Sequence, residues 1–189
     1  MEVKILEENR EYDGFFKIDK VTLQYEKFSG EMSEKITRLN FDRGDTVAVV
    51  LYDEGRDSVI LIKQFRYPAY INDGPGWILE IVAGIIDKER DVISVARAEL
   101  LEEAGYEVDD LEPISTFYVS PGGSSEKIYL YLAHTQRKIS SGGGRTDEHE
   151  DIQVVEIPLD EAMKMVETGE ICDAKTIIAL QWLKLRRSG

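Results

Sequence analysis

Three apolar runs close together in the chain constrain its fold most: Thr46 to Tyr52, Ser58 to Gln64 and Trp77 to Val82. Each is rich in Val, Ile and Leu, and Gly, Asp and Pro turns separate them, the pattern of buried sheet strands. Further strands are expected at Ile114 to Tyr118, Lys127 to Ala133 and Ile152 to Ile157. Asp91 to Ala104 reads as a helix, with Gly105 placed for its C-terminal cap. Two more helices are expected at Leu159 to Glu167 and Asp173 to Arg186, the second carrying Ile177, Leu180, Leu183 and Leu185 on one stripe. No repeat is visible, so the expected class is α/β (α+β): a mixed sheet flanked by helices.

Residues 1–43 are different. Lys17 to Tyr25 alternates polar and apolar residues, Ser29-Gly30 marks a turn, and a second alternating stretch runs to Phe41. This reads as a small N-terminal β lobe, with the main domain expected over residues 44–189. A chain of 189 residues buries one sizeable core plus an appendage, and is too short for two ordinary domains.

The chain has one cysteine, Cys172, and two histidines, which excludes an internal disulfide and a Cys/His zinc site. Any metal site must be built from carboxylates. The net charge of −14 opposes nucleic acid and anionic membrane, and no Lys/Arg stripe overrides it. With no leader-like start and no stretch near the ~20 apolar residues of a membrane span, a cytoplasmic protein is expected.

On a wheel of about 100° per residue, Val92, Val95, Ala96 and Leu100 share one face, and Glu99, Glu102 and Glu103 extend it. A glutamate cluster on a helix is ordinarily a solvated surface. Here the carboxylates lie on the stripe that should be buried, in the last turns before Gly105, where the negative end of the helix dipole disfavours anions. Three such anions call for a cation. The i, i+3 and i+4 spacing brings hard oxygen ligands together as Mg²⁺ or Mn²⁺ requires, with a substrate phosphate completing the shell.

The segment Ala83-Gly84-Ile85-Ile86-Asp87-Lys88-Glu89-Arg90, continuing to Ala98-Glu99-Leu100-Leu101-Glu102-Glu103-Ala104-Gly105-Tyr106, resembles the Nudix box, G-x5-E-x7-R-E-U-x-E-E-x-G-U. Two positions depart from it. Arg90 stands where the first glutamate belongs, with Glu89 one residue early, and Ala98 stands where the arginine belongs, with Arg97 one residue early. A shift of one residue turns Arg97 about 100° away, so it does not simply replace the missing side chain.

The similarity to the ADP-ribose pyrophosphatase branch runs from Tyr12-Asp13-Gly14-Phe15-Phe16 to Ile178-Ala179-Leu180-Gln181-Trp182-Leu183, and Ser120-Pro121-Gly122-Gly123 resembles its proline marker. The resemblance implies the Nudix fold and metal ligation by Glu99, Glu102, Glu103 and Glu150, with Ala83 among the metal positions. It implies Glu148, in the loop Thr146-Asp147-Glu148-His149-Glu150-Asp151, as the base that activates water, alongside Glu102 and Glu103 in catalysis. Gly142-Gly143-Gly144 just before it reads as a mobile segment suited to a lid. Phe15 and Arg38 correspond to the adenine-binding positions, with Arg66 and Glu80 further along the pocket and Glu126 toward the terminal sugar. An aromatic residue such as Phe15 is equally compatible with core packing.

The implied reaction is hydrolysis of ADP-ribose to AMP and ribose 5-phosphate by a metal-activated water, in a homodimer whose N-terminal lobe takes part in dimerisation and adenine binding. GDP-mannose or another nucleotide sugar is the alternative substrate. A catalytically weak nucleotide sensor is the alternative of another class, motivated by Arg90 and Ala98, and a purely structural interaction domain would make inward-facing glutamates costly.

Overall fold

The computed structural model describes residues 1–87, 89–145 and 150–188. The chain divides into two compact units, one comprising residues 1–45 and 117–127, the other residues 46–116 and 128–189.

In the first unit, β1 (Val3–Asp13), β2 (Lys17–Tyr25) and β3 (Ile36–Asp42) form an antiparallel sheet in that order. The strand β1 was not foreseen, because every one of its residues is exposed and its charges follow no buried alternation. Its pairing with β2 shifts register between Ile5 and Glu7 and again between Arg10 and Tyr12. Backbone bonds tie β3 to the 117–127 segment: Phe41 N–H donates to the Gly123 carbonyl at 2.8 Å, and Ser125 N–H to the Phe41 carbonyl at 3.4 Å.

The second unit is built on a sheet of seven strands. In chain order its elements are β4 (Thr46–Asp53), β5 (Ser58–Phe65), α1 (Tyr67–Tyr70), β6 (Trp77–Glu80), β7 (Val82–Ile85), α2 (Val92–Glu99), β8 (Tyr106–Glu107), β9 (Glu112–Tyr118), β10 (Lys127–His134), β11 (Arg137–Lys138), β12 (Gln153–Pro158), α3 (Leu159–Thr168) and α4 (Ala174–Ser188). The sheet order is β12-β5-β4-β10-β9, with β6 also pairing β5 and β7 also pairing β4, while β8 and β11 form a separate ribbon. It is mixed, as expected: β10 runs parallel to β4, and β12 and β4 run antiparallel to β5.

The Trp77 to Val82 run is two strands rather than one. At Ile81 the chain leaves β5 for β4, and the Ile81 N–H donates to the Thr176 hydroxyl at 2.9 Å. Strand alternation then sorts the core. Val47, Val49, Leu51, Ile60, Ile62 and Val82 pack with Val95, Ala96, Leu100 and Ala104 of the helix that follows. The alternate residues Ala48, Val50, Val59 and Leu61, also fully buried, face the side on which α4 meets β4 and α3 meets β5. Among the described residues no helix is long and apolar enough to cross a membrane.

The helix begins where the sequence indicates. Asp91 caps it by accepting from the N–H groups of Ile93 and Ser94, both at 3.0 Å. Its end differs: Leu100–Ala104 widens into a π-helical turn before Gly105 closes it in the left-handed conformation, φ 81°. Such single π turns recur at functional sites, and a fixed wheel of 100° per residue does not describe one.

Candidate active site

In the second unit the candidate residues surround the π turn. Glu103, the deepest, is 4% exposed, and its Oε2 accepts from the Ala83 N–H at 3.3 Å. Burial pushes its carboxyl up to about 8; the charges of Glu99 and Glu150 push the same way, against the Ala83 amide and Arg66. Glu103 therefore shares one electrostatic neighbourhood with Glu99, Glu150 and Arg66. Because the Ala83 N–H is committed to Glu103 and its side chain is a methyl group, Ala83 could offer a cation only its carbonyl oxygen. Gly84, next along β7, lies against Glu99 so closely that any side chain there would overlap the carboxylate.

Glu150 is held differently. Its Oε2 accepts from the Arg145 N–H at 2.8 Å, and its own N–H returns a bond to the Arg145 carbonyl at 3.2 Å. The glycines expected to swing free are docked: Gly143 N–H donates to the Glu103 carbonyl at 2.9 Å, and Gly144 N–H to the Glu102 carbonyl at 3.1 Å. Carbonyls at a helix end have no partner within the helix, and positive φ at Gly142, Gly143 and Gly144 lets this segment approach near enough to satisfy them. Thr146–His149, and with them Glu148, lie outside the described residues.

Among the described residues no three carboxylates already close around a common point. The donor set nevertheless suits a divalent cation. Buried Glu103, with Glu99 and Glu150 adding like charge, is a hard-oxygen arrangement that a cation would relieve, and Mg²⁺ keeps several waters rather than demanding an all-protein cage.

The two departures in the box have a structural outcome. Arg97 turns outward and donates to the Asp109 carbonyl, and Ala98 leaves its position without a charge. Arg90 ion-pairs with Asp87 at 2.7 Å, and that bond, with the negative charges of Glu99 and Glu102 nearby, strengthens its hold on its proton. The cation near these carboxylates thus comes from the loop before the helix, a placement that reading one residue at a time along the box does not disclose.

Glu80 is 3% exposed, and both its oxygens are engaged: Oε2 with Arg66 Nε at 2.7 Å, Oε1 with Lys175 Nζ at 2.6 Å. It stands behind Arg66 rather than facing solvent. Lys175 was not anticipated, since a lone lysine opening an amphipathic helix carries no signal in sequence.

The remaining candidates belong to the first unit. Phe15 is 81% exposed, so core packing is not its role; its ring meets Phe16 edge-on at 4.7 Å, and Phe16 meets Phe41 at 5.2 Å. Arg38 is exposed and sits opposite Val21, whereas Phe15 lies beyond Lys17, the residue paired with Asp42. The four-step rise along β2 from Lys17 to Val21 is about 13 Å, so Phe15 and Arg38 of one chain are well apart. Glu126 is buried beside Arg43, with Arg43 Nε 3.6 Å from its Oε1.

Known proteins resemble this chain over most of its length. The ADP-ribose pyrophosphatase of Escherichia coli (strain K12) is 39% identical over 97% of this chain and 88% of its own length. The GDP-mannose pyrophosphatase of Enterobacter sp. (strain 638) is 34% identical over 98% of this chain and 96% of its own. A crystal structure described as an ADP compounds hydrolase shares the fold, with a TM-score of 0.76 at 24% identity, covering all of this chain and 97% of that one. The NUDIX domain family model matches residues 42–180, a span holding β4 to α3, the π turn and its glutamates, and on that match the chain belongs to the NUDIX domain family.

Proposed function

We propose that this chain hydrolyses the pyrophosphate bond of ADP-ribose, giving AMP and ribose 5-phosphate. The observation that carries the reading is a buried carboxylate, Glu103, tied to the Ala83 amide and acted on by the charges of Glu99 and Glu150, with the cationic Arg66 acting against them. That is equipment for holding a polyanion through cations, and nothing in it resembles a protein nucleophile. Water attacks one phosphorus, the bond from that phosphorus to the bridging oxygen breaks, and the bridging oxygen leaves with the other phosphate. The proton of the attacking water passes to a carboxylate, which we assign to Glu148.

NUDIX hydrolases generally need a divalent cation, here assigned as Mg²⁺ with Mn²⁺ as substitute. Held by Glu99, Glu103 and Glu150, with Glu102 and the Ala83 carbonyl alongside, it would offset pyrophosphate charge and make water a better nucleophile. The protein's own part is positional. Ala83 N–H orients Glu103, the Arg145 amide orients Glu150, and Glu80 aims Arg66. Phe15 and Arg38 are assigned to the adenine, Glu126 to the terminal sugar, and the chain to a homodimer.

GDP-mannose is the second reading, because relatives bearing that activity in their names match this chain over as great a length. Incubating the protein with ADP-ribose and Mg²⁺, with GDP-mannose in parallel, and identifying the products by chromatography tests both. AMP with ribose 5-phosphate is the expected result; GMP with mannose 1-phosphate at the higher kcat/KM would transfer the assignment, and no turnover of either would remove it.

A further inference from the structure

The C-terminal helix reaches the candidate site through a chain of buried polar contacts. Glu80 ends β6, and its two oxygens are divided between two cations: Arg66, just beyond β5, and Lys175, in the first turn of α4. Lys175 is itself buried and is fixed from its other side by Asp173 Oδ1 at 3.0 Å. Asp173 in turn caps α4, accepting at Oδ2 from the Thr176 N–H at 3.0 Å and from its hydroxyl at 2.6 Å. The same hydroxyl accepts from the Ile81 N–H, the residue after Glu80. Both ends of the network are therefore anchored, and α4 is stitched to the β6–β7 junction.

Arg66 is the exception to this burial. Its side chain is 42% exposed, it binds Glu80 through Nε, and its charge reaches Glu103. Resting on the functional reading above, we propose that Lys175 is a positioning residue for Arg66, holding Glu80 so that the arginine keeps its aim and its positive charge for the substrate pyrophosphate. Charge and geometry lead to the same assignment. A guanidinium takes a carboxylate readily in two-point fashion, through parallel N–H donors. With Lys175 occupying Oε1, Glu80 offers Arg66 one oxygen. Without it, both oxygens are open to the guanidinium, which would rotate onto them and have its charge neutralised within the protein.

The test is a double-mutant cycle on the full chain with the nucleoside diphosphate compound that the wild type cleaves. Lys175→Met should lower kcat/KM about tenfold, mainly through KM, while in an Arg66→Ala background the same change should cost less than about twofold. A merely structural lysine would lower the melting temperature and add its effect in both backgrounds. If Lys175→Met does not fold, Lys175→Gln, which can still donate to Oε1, replaces it; a smaller loss with the same non-additivity is then expected. Turnover by the wild type with an additive cycle, or with an unaffected Lys175 variant, would overturn the positioning role alone. A wild type that cleaves no such compound would overturn the functional reading and this role with it.

Discussion

Gly84 and Glu99 share one space: the glycine on β7 has no side chain, and the glutamate carboxylate occupies the volume that a methyl group there would fill. The obstructed group is the flexible end of a side chain rather than backbone, so the fold should accept Gly84→Ala while the carboxylate is pushed aside. We expect a melting temperature close to wild type with metal-dependent turnover reduced about 10–100-fold, the scale seen when support for a metal ligand is lost. Thermal unfolding and Mg²⁺ titration of the rate check it; wild-type activity would separate Glu99 from the chemistry.

Glu103→Gln removes from the buried centre of the site a carboxyl that a bound cation would hold ionised. Turnover at saturating Mg²⁺ should fall by roughly a hundredfold or more, with far-UV circular dichroism unchanged, because an amide offers the cation no anionic oxygen. Activity within a few-fold of wild type would show that the site had been assigned to the wrong carboxylates.

Glu148 and Glu150 should part company. Glu148→Gln is expected to lower kcat with little change in KM, as for a group that acts in the transition state, whereas Glu150→Gln should also raise the Mg²⁺ concentration needed for half-maximal rate. Exchanged phenotypes would exchange the roles.

Phe15 and Arg38 stand far apart on one protomer, which suits an adenine site shared between two. Mixing inactive Phe15→Ala and Arg38→Ala dimers should then restore activity. Random exchange makes half the dimers hybrids with one intact site each, so roughly a quarter of wild-type activity is expected. No recovery after exchange proven by mass spectrometry, or a monomer by light scattering, rules the arrangement out.

Acid should weaken one surface contact. The Arg187 guanidinium donates to Asp57, which also accepts from the Tyr52 hydroxyl at 2.9 Å, and these bonds hold the Asp57 carboxyl below its usual 3.8. A depressed carboxyl stabilises the fold above its unfolded-state value, and that stability is lost as pH falls through the folded-state value. Asp57→Asn, which tolerates the positive φ of 53° at this position, should therefore cost up to about 1 kcal/mol at pH 7 and nothing near pH 2, the small size reflecting solvent exposure. Urea unfolding at the two pH values distinguishes this from a loss independent of pH.

The central strands, the capped start of the carboxylate helix and its closing glycine were legible because each follows local rules: β-branched runs, an aspartate cap, a left-handed Gly105. The strand β1 was not, since its residues are all exposed and its pairing with β2 rests on backbone bonds and on tertiary ion pairs such as Arg10 with Asp19. The break at Ile81 was hidden because Thr176, which takes its N–H, lies far away in sequence. That Glu99 and Glu103 lie near one another was readable from their i, i+4 spacing. The engagement of Glu80 on both sides, the outward turn of Arg97 and the nearness of Arg90 to Glu99 and Glu102 depend on tertiary placement that no periodicity encodes.

The bonds from Gly143 and Gly144 to the end of the carboxylate helix also set an order of assembly. During synthesis Glu102 and Glu103 leave the ribosome well before the glycines that satisfy their carbonyls, with β9 and β10 made in between. A nascent chain halted before Gly143 would carry the glutamates on a helix whose last turn is still unsealed, and should hold metal poorly however well its first strands have formed. Competence for metal would arrive late in translation, when one short glycine segment emerges.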